Sequence, residues 1–170
     1  MLHMARRLGF KIVPWSMTLL VFCPVILSFL LSSCTPRGEK SITSYNELIL
    51  QFEVDQIEVP VGGVVRMRYA VRNTGERLWV IDSKDTPVLD IIVEKPPFGQ
   101  ILMTWSSQNP DKALHRVEWQ PGETKLLELV WTPDEEFRYG RLVHLTGTLS
   151  KNSKIVQSVG VTICAGPACR

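Results

Sequence analysis

The sequence lacks the residue patterns on which most enzymes depend. Histidine occurs only three times in 170 residues. There is no nucleophile elbow, no paired-histidine metalloprotease motif and no glycine-rich phosphate-binding loop. Nothing in the chain has the spacing of a cofactor-binding signature. These absences predict a protein that is not an enzyme and that binds no cofactor.

Charge is missing from the first part of the chain. No charged residue of either sign lies between Lys11 and Arg37, and the nearest preceding charges, Arg6 and Arg7, are basic. The apolar run centred on residues 19–31 follows this basic start. A basic segment followed by an apolar one is typical of a secretion signal, which keeps its positive charges in the cytoplasm. We therefore expect the rest of the chain to be exported.

The apolar run ends at residues 31–34, whose sequence is Leu-Ser-Ser-Cys. This segment resembles the lipobox of bacterial lipoproteins. The resemblance implies cleavage between Ser33 and Cys34, acylation of Cys34 with fatty acids such as palmitate, and anchoring outside the cytoplasm in the lipid of the cell membrane. The alternative is an uncleaved transmembrane helix, because the charge-free span is long enough to cross about 30 Å of hydrocarbon. Pro24 weakens this alternative, since proline removes a helical hydrogen bond.

Removing residues 1–33 changes the charge of the protein. The loss of three basic residues leaves 16 of the 19 against 17 acidic residues, a net charge of −1. A nucleic-acid binder would carry a basic surplus on its folded part, so we expect no nucleic-acid partner. Residues 34–46 are polar and without apolar periodicity, which predicts a flexible tether. Residues 47–170 have the length of a single domain.

Cysteine is scarce, and its four positions suggest separate roles. Cys23 lies in the predicted signal peptide and Cys34 at its end, which leaves Cys164 and Cys169 in the exported domain. Exported proteins commonly carry disulfides, so we predict a Cys164–Cys169 disulfide that closes the Ala-Gly-Pro-Ala turn. The alternative is a redox or metal-binding pair, although a structural zinc would need two further ligands.

Long amphipathic helices are also absent, and from residue 48 onward apolar residues alternate with polar ones. A period of two indicates strands, and turn signals such as Asn73-Thr74-Gly75 separate them. The predicted strands are 48–54, 65–71, 78–81, 88–94, 101–105, 114–119, 127–131, 143–149 and 155–163. Residues 133–136 could form one helical turn.

Seven to nine short strands with regular turns predict an antiparallel, immunoglobulin-like β-sandwich. Tyr139 precedes the penultimate strand, where such sandwiches often carry a tyrosine corner. A closed β-barrel is the alternative.

Residues 64–131 resemble the BsuPI-type intracellular proteinase inhibitor domain, a family of immunoglobulin-like sandwiches. The matching segments are Val-Arg-Asn-Thr-Gly at 71–75, Leu-Asp-Ile-Ile-Val at 89–93, Trp105-Ser106, Gln-Pro-Gly-Glu at 120–123 and Trp131. The resemblance implies the fold and, more distantly, protease inhibition. None of these segments is an inhibitory motif, so no inhibitory residue carries over.

The preferred contact surface is the polar loop that begins at a tryptophan. It comprises Trp105, Ser106, Ser107, Gln108 and Asn109. Exposed aromatic residues at loop edges often anchor protein partners. The alternative is a core tryptophan followed by an ordinary loop; two or three of the four tryptophans after the predicted signal peptide should belong to the core.

Three other groups of residues could form sites, and each has a simpler interpretation. Arg66, Arg68 and Arg72 could attract lipid phosphates or an acidic partner, or could simply form a solvated strand face. Calcium could bind Asp82, Asp85 and Asp90, but without a glycine-centred loop or further acidic residues we prefer a solvated loop. Copper could bind His115, His144, Met67 and Met103, but no ligand spacing supports this and we expect no metal site.

These observations predict a lipid-anchored binding or assembly module that acts through contacts with an unidentified protein of the cell envelope. The first alternative is an inhibitor of an extracellular protease. The second is a carrier of a metal or small ligand.

Overall fold

The strands follow the alternation of apolar and polar residues closely. The computed structural model describes residues 37–97, 99–138 and 140–167. Its strands are β1 (Glu39–Tyr45), β2 (Leu48–Val54), β3 (Glu58–Val59), β4 (Val65–Asn73), β5 (Trp79–Asp82), β6 (Leu89–Lys95), β7 (Gln100–Thr104), β8 (Arg116–Trp119), β9 (Thr124–Trp131), β10 (Arg141–Lys151) and β11 (Lys154–Ala165). A short helix, α1 (Trp105–Gln108), and two 3₁₀ turns, Pro110–Lys112 and Glu135–Phe137, complete the described elements.

The described strands form two main sheets and a separate pair. One sheet has the order β1-β2-β4-β9, the other has the order β3-β11-β10-β6-β7, and β5 pairs with β8. All pairings are antiparallel except that of β3 with β11. Along its described strands, the chain passes between the main sheets five times, between β2 and β3, β3 and β4, β4 and β6, β7 and β9, and β9 and β10. In the described residues no strand pair joins the two main sheets, so the fold is a β-sandwich rather than a closed barrel.

The core lies between the two main sheets. Along β4, Val65, Met67, Tyr69 and Val71 are buried and the arginines between them are exposed. The Tyr69 ring of β4 packs directly against Gly147 of β10, in the opposite sheet. A Cβ added to Gly147 would lie only 2.4 Å from this ring. A glycine at this position therefore makes room for the ring. The same alternation buries one face of β2 and of β10.

Three of the four described tryptophans lie in the core, which confirms the prediction of two or three. Trp119 is fully buried, and Trp105 and Trp131 are nearly so. Trp119 donates from Nε1 to the carbonyl oxygen of Val71 across 3.1 Å. Trp131 meets Phe137 edge to face, with ring centroids 5.3 Å apart.

The predicted tether is wrong over most of its described part. Instead of a flexible segment, residues 39–45 form β1, which pairs with β2 from Glu39 opposite Val54 to Tyr45 opposite Leu48. This strand lies at the edge of the sheet and buries no residue fully. Such a strand does not require a strict alternation of apolar and polar residues, which is why the sequence did not predict it. Its polar sequence therefore gave no strong apolar signal.

The remaining predictions concern a helical turn, a tyrosine corner and the N-terminal segment. The 3₁₀ turn at Glu135–Phe137 agrees with the expected helical turn, while Tyr139, the predicted tyrosine corner, lies outside the described residues. No helix in the described part of the chain has the length and apolar character needed to cross a membrane. The predicted signal peptide, residues 1–33, and the lipidation site Cys34 also lie outside the described residues.

Candidate functional site

The predicted contact loop forms helix α1, which is held in place by a buried carboxylate. Asp90 of β6 accepts hydrogen bonds from the backbone nitrogen of Ser106 at 2.9 Å and from its hydroxyl at 2.6 Å. Thr104 caps the helix by accepting from the backbone nitrogen of Ser107 at 3.1 Å. A helix of one turn is not stable alone, so these bonds fix its position on the sandwich.

Trp105 itself is a core residue rather than an exposed anchor. Only 8% of its surface is exposed, because it lies at the start of α1 and points into the sandwich. Ser107 and Gln108 are exposed, and Asn109 donates from its side chain to the carbonyl oxygen of Trp105 at 3.0 Å. Any partner contact by this loop therefore involves its polar residues, while Trp105 packs in the core and holds them in position.

An apolar pocket lies beside α1 and extends the predicted contact surface. It has a volume of about 260 Å³ and is lined by Leu89, Trp105, Lys112, Leu114, Val117, Lys125, Leu126 and Leu127. Leu114 is 56% exposed and Leu126 is 46% exposed. Two exposed leucines beside a concave surface are the kind of feature that marks binding sites. We call this the α1 pocket.

The charged groups that line the α1 pocket are both lysines. Lys125 forms an ion pair with Glu123, which does not itself line the pocket. This bond, together with donation from the backbone of Gln120, lowers the pKa of Glu123. Lys112 forms no ion pair with any described residue. The rim therefore carries one unneutralised positive charge and favours an anionic group on whatever binds.

The sequence predicted a contact loop at residues 105–109, where the structure has helix α1, and gave no indication of the pocket. Its lining comes from β6, α1, β8, β9 and the segment between α1 and β8, and no local pattern connects them. The unpatterned Leu114 and the outward-facing Leu126 were the available signals. Each is an apolar residue at a position where the alternation predicts a solvent-exposed, polar side chain.

The arginines of β4 lie on a solvated face. Arg66, Arg68 and Arg72 are all exposed on the outer side of the sheet. Arg66 pairs with Asp55 at 3.4 Å, and Arg68 pairs with Glu128 at 3.1 Å. Since these acids neutralise two of the three arginines locally, the arrangement favours the simpler interpretation of an ordinary polar face.

The three aspartates considered for calcium do not form a common site. Asp82 pairs with Arg116 at 3.0 Å, Asp85 accepts from the hydroxyl of Ser153 at 3.1 Å, and Asp90 is committed to α1. Across residues 37–97, 99–138 and 140–167, no three histidine, cysteine, aspartate or glutamate side chains group around a potential metal position.

The residues considered for copper have separate environments. His115 lies 3.2 Å through Nδ1 from the carbonyl oxygen of Ser83, and His144 lies on β10. Met67 is buried on β4, and Met103 lies on β7. These positions give no reason to assign them a shared ligand.

The predicted disulfide stays a prediction. Cys164 lies near the end of β11, opposite Leu142 of β10. Cys169 lies outside the described residues.

Comparisons with known proteins give no family. No family model matches the chain, and no curated protein matches it. A β-glucosidase from Erythrobacter marinus has a TM-score of 0.43 and 12% identity, over 75% of this chain and 15% of that one. A β-glucosidase from Listeria innocua in complex with glucose has a TM-score of 0.41 and 13% identity, over 77% and 16%. This chain thus spans about 15% of the length of those enzymes.

A third solved structure is of a smaller protein, and nearly all of it aligns with this chain. The CARDB domain of a Pyrococcus furiosus protein, solved in complex with di-metal ions, has a TM-score of 0.38 and 18% identity, over 80% of this chain and 94% of that one. TM-scores below 0.5 do not establish a common fold, so none of these similarities supports a function for this chain.

Proposed function

We propose that this protein is a non-enzymatic binding module that contacts another protein through the α1 pocket. The observation that carries the proposal is the combination of an apolar pocket, two exposed leucines and a lysine rim beside a rigidly held helix. Protein interfaces concentrate their binding energy in such apolar pockets, surrounded by polar residues that exclude water.

The volume of the pocket favours a protein side chain as its occupant. Pockets for small molecules usually measure about 300–1,000 Å³, whereas the α1 pocket measures about 260 Å³. A single leucine, methionine or phenylalanine side chain is small enough to enter it. Carriage of a small apolar ligand is the second candidate, and the same pocket is the observation that favours it.

We also propose that the module acts outside the cytoplasm on a lipid anchor. This part of the proposal is supported by the Leu-Ser-Ser-Cys segment at 31–34 and the basic and apolar segments before it. The anchor would hold the domain near the membrane, where its partner is expected. The host membrane could be the inner or the outer one.

The family assignment belongs to the same proposal. The sandwich with its β9-to-β10 crossing is compatible with an immunoglobulin-like domain of the BsuPI type. Two residues of the segments that carry the resemblance serve the fold: Asn73 donates to the carbonyl oxygen of Trp119, and Asp90 holds α1. Protease inhibition is an alternative without a supporting residue in the structure.

The test compares native complexes from detergent-solubilised membranes of the host. The wild-type protein should migrate in a complex larger than its own monomer. The Leu114→Glu/Leu126→Glu variant should migrate as the monomer, because two carboxylates would have to be desolvated at the interface. Ile155→Glu is the matched control, since Ile155 is 58% exposed on β11. Monomeric migration of all three proteins, or an intact complex in the pocket variant, would contradict the proposal.

A further inference from the structure

We propose that the partner binds as an extended peptide segment that adds a strand to the outer edge of β9. This inference rests on the proposed function and specifies its mode. One apolar side chain of the added strand would fill the α1 pocket, and a nearby carboxylate would meet Lys112 and Lys125.

In the described part of the chain, no strand pairs with the outer edge of β9. β9 is the terminal strand of the four-stranded sheet and pairs with β4 on its inner side. No hydrogen bond from another described segment reaches the backbone of residues 124–131 on the outer side. An edge strand of eight residues presents a row of unpaired N–H and C=O groups, and such a row is a template for another strand.

Among the described residues, the segment between β7 and β9 leaves this edge unpaired. Constant-type immunoglobulin sandwiches carry one more strand at the equivalent place, next to the strand that β9 represents. Here residues 105–119 form α1, a 3₁₀ turn and β8 instead, and β8 pairs with β5. The position next to β9 is therefore not filled by any described strand.

The α1 pocket borders this unpaired edge of β9. Three consecutive residues of β9, Lys125, Leu126 and Leu127, line the pocket together with Leu114 and Val117. A strand paired with β9 would pass directly beside the opening. Backbone hydrogen bonds would give the added strand affinity, and the pocket would select its side chain.

The chemistry of the pocket defines the sequence of the added strand. The lining is apolar except for the two lysines, and no carboxylate lines it. Side chains on one face of a strand are about 7 Å apart. The expected segment has an apolar residue with an aspartate or glutamate two positions away, so that both point to the same face.

The test uses random peptides of about twelve residues displayed on phage and selected on the immobilised full-length protein in detergent. Selected sequences should contain an apolar residue and an acidic residue two positions apart. The Lys112→Glu/Lys125→Glu variant should bind the synthetic selected peptide at least about tenfold more weakly. The Lys151→Glu/Lys154→Glu variant, changed in the β10–β11 turn, should bind it as the wild type does.

N-methylation of the selected peptide, one amide at a time, distinguishes strand addition from side-chain docking. Strand addition predicts a loss of about tenfold or more at every second amide and little change at those between, because alternate N–H groups face β9. Uniform tolerance to methylation would overturn strand addition. If the native complex still depended on Leu114 and Leu126 in that case, the proposed function would survive and only this inference would fail.

Discussion

At the residue scale, Asn73 shows how a turn motif specifies the fold. Its fully buried side chain donates to the carbonyl oxygens of Arg77 and Trp119 at 2.8 and 3.2 Å and accepts from the backbone of Gly75 at 2.9 Å. Its backbone also bonds to Gly122 and Glu123. Asn73 therefore joins the β4 turn to the strands around it.

Replacing this side chain should destabilise the domain. Asn73→Ala leaves the buried carbonyl of Trp119 and the part-buried carbonyl of Arg77 without their donor, which should cost about 2 kcal/mol since a buried unsatisfied group costs about 1–3. Urea unfolding measures the change. Thr74→Val is the control, because the carbonyl oxygen of Glu47 that the Thr74 hydroxyl contacts also accepts from the Thr74 backbone. A loss as small as that of the control would contradict this role of Asn73.

Glu47 makes stability depend on pH. Its carboxylate accepts from Trp79 Nε1 at 2.8 Å and from Arg77 Nε at 3.0 Å, and these bonds lower the pKa of Glu47, the Trp79 bond most. A lowered folded-state pKa stabilises the fold above the unfolded-state value and loses this effect as pH falls through the folded-state value.

The Glu47→Gln variant tests this pH dependence. Its urea midpoint should be below that of the wild type at neutral pH, and the difference should shrink as pH falls below the usual glutamate pKa of about 4.3 and through the lowered pKa of Glu47 in the folded protein. Glu76→Gln, at an exposed neighbouring position, controls for the general effect of charge removal. An unchanged difference across the whole pH range would contradict the assignment.

At the scale of elements, α1 depends on a tertiary bond. Ser106→Ala removes the 2.6 Å bond from the Ser106 hydroxyl to Asp90. Because this bond is made to a buried carboxylate, its loss should cost about 2 kcal/mol. Hydrogen exchange of residues 105–109 should accelerate more than that of the two main sheets. Equal acceleration throughout would show that Ser106 stabilises the whole domain rather than the helix.

The strands were predictable where alternation is strong. Nine predicted segments correspond to strands, because burial of one face forces a period of two on β2, β4 and β10. β1 was missed because it lies at the sheet edge and is polar. β3 was missed because two residues give no period.

The candidate site was predictable only in part. Trp105 and the polar residues after it identified the position of α1. The pocket depends on how β6, β8 and β9 come together, and this packing leaves no trace in the local sequence.

At the scale of the whole molecule, the proposed anchor gives a prediction about location. Cys34→Ser should leave the protein unacylated, so it should lose the mass of the attached fatty acids and leave the membrane fraction. A single chain binds membranes only marginally, so stable anchoring requires two or more. Cys23→Ser should change neither mass nor location once the signal peptide is removed. Wild-type protein that keeps residues 1–33 and carries no fatty-acid mass would instead favour an uncleaved helix.

The most direct test of the central claim is photocross-linking in living cells of the host. A benzoylphenylalanine replaces Leu114 in the α1 pocket or Ile155 on β11, two positions with nearly equal exposure of 56% and 58%. The account predicts one discrete protein adduct from position 114, at about tenfold the yield from position 155, and its loss in the Lys112→Glu/Lys125→Glu background. Equal yields from both positions, or no protein adduct at position 114, would contradict it.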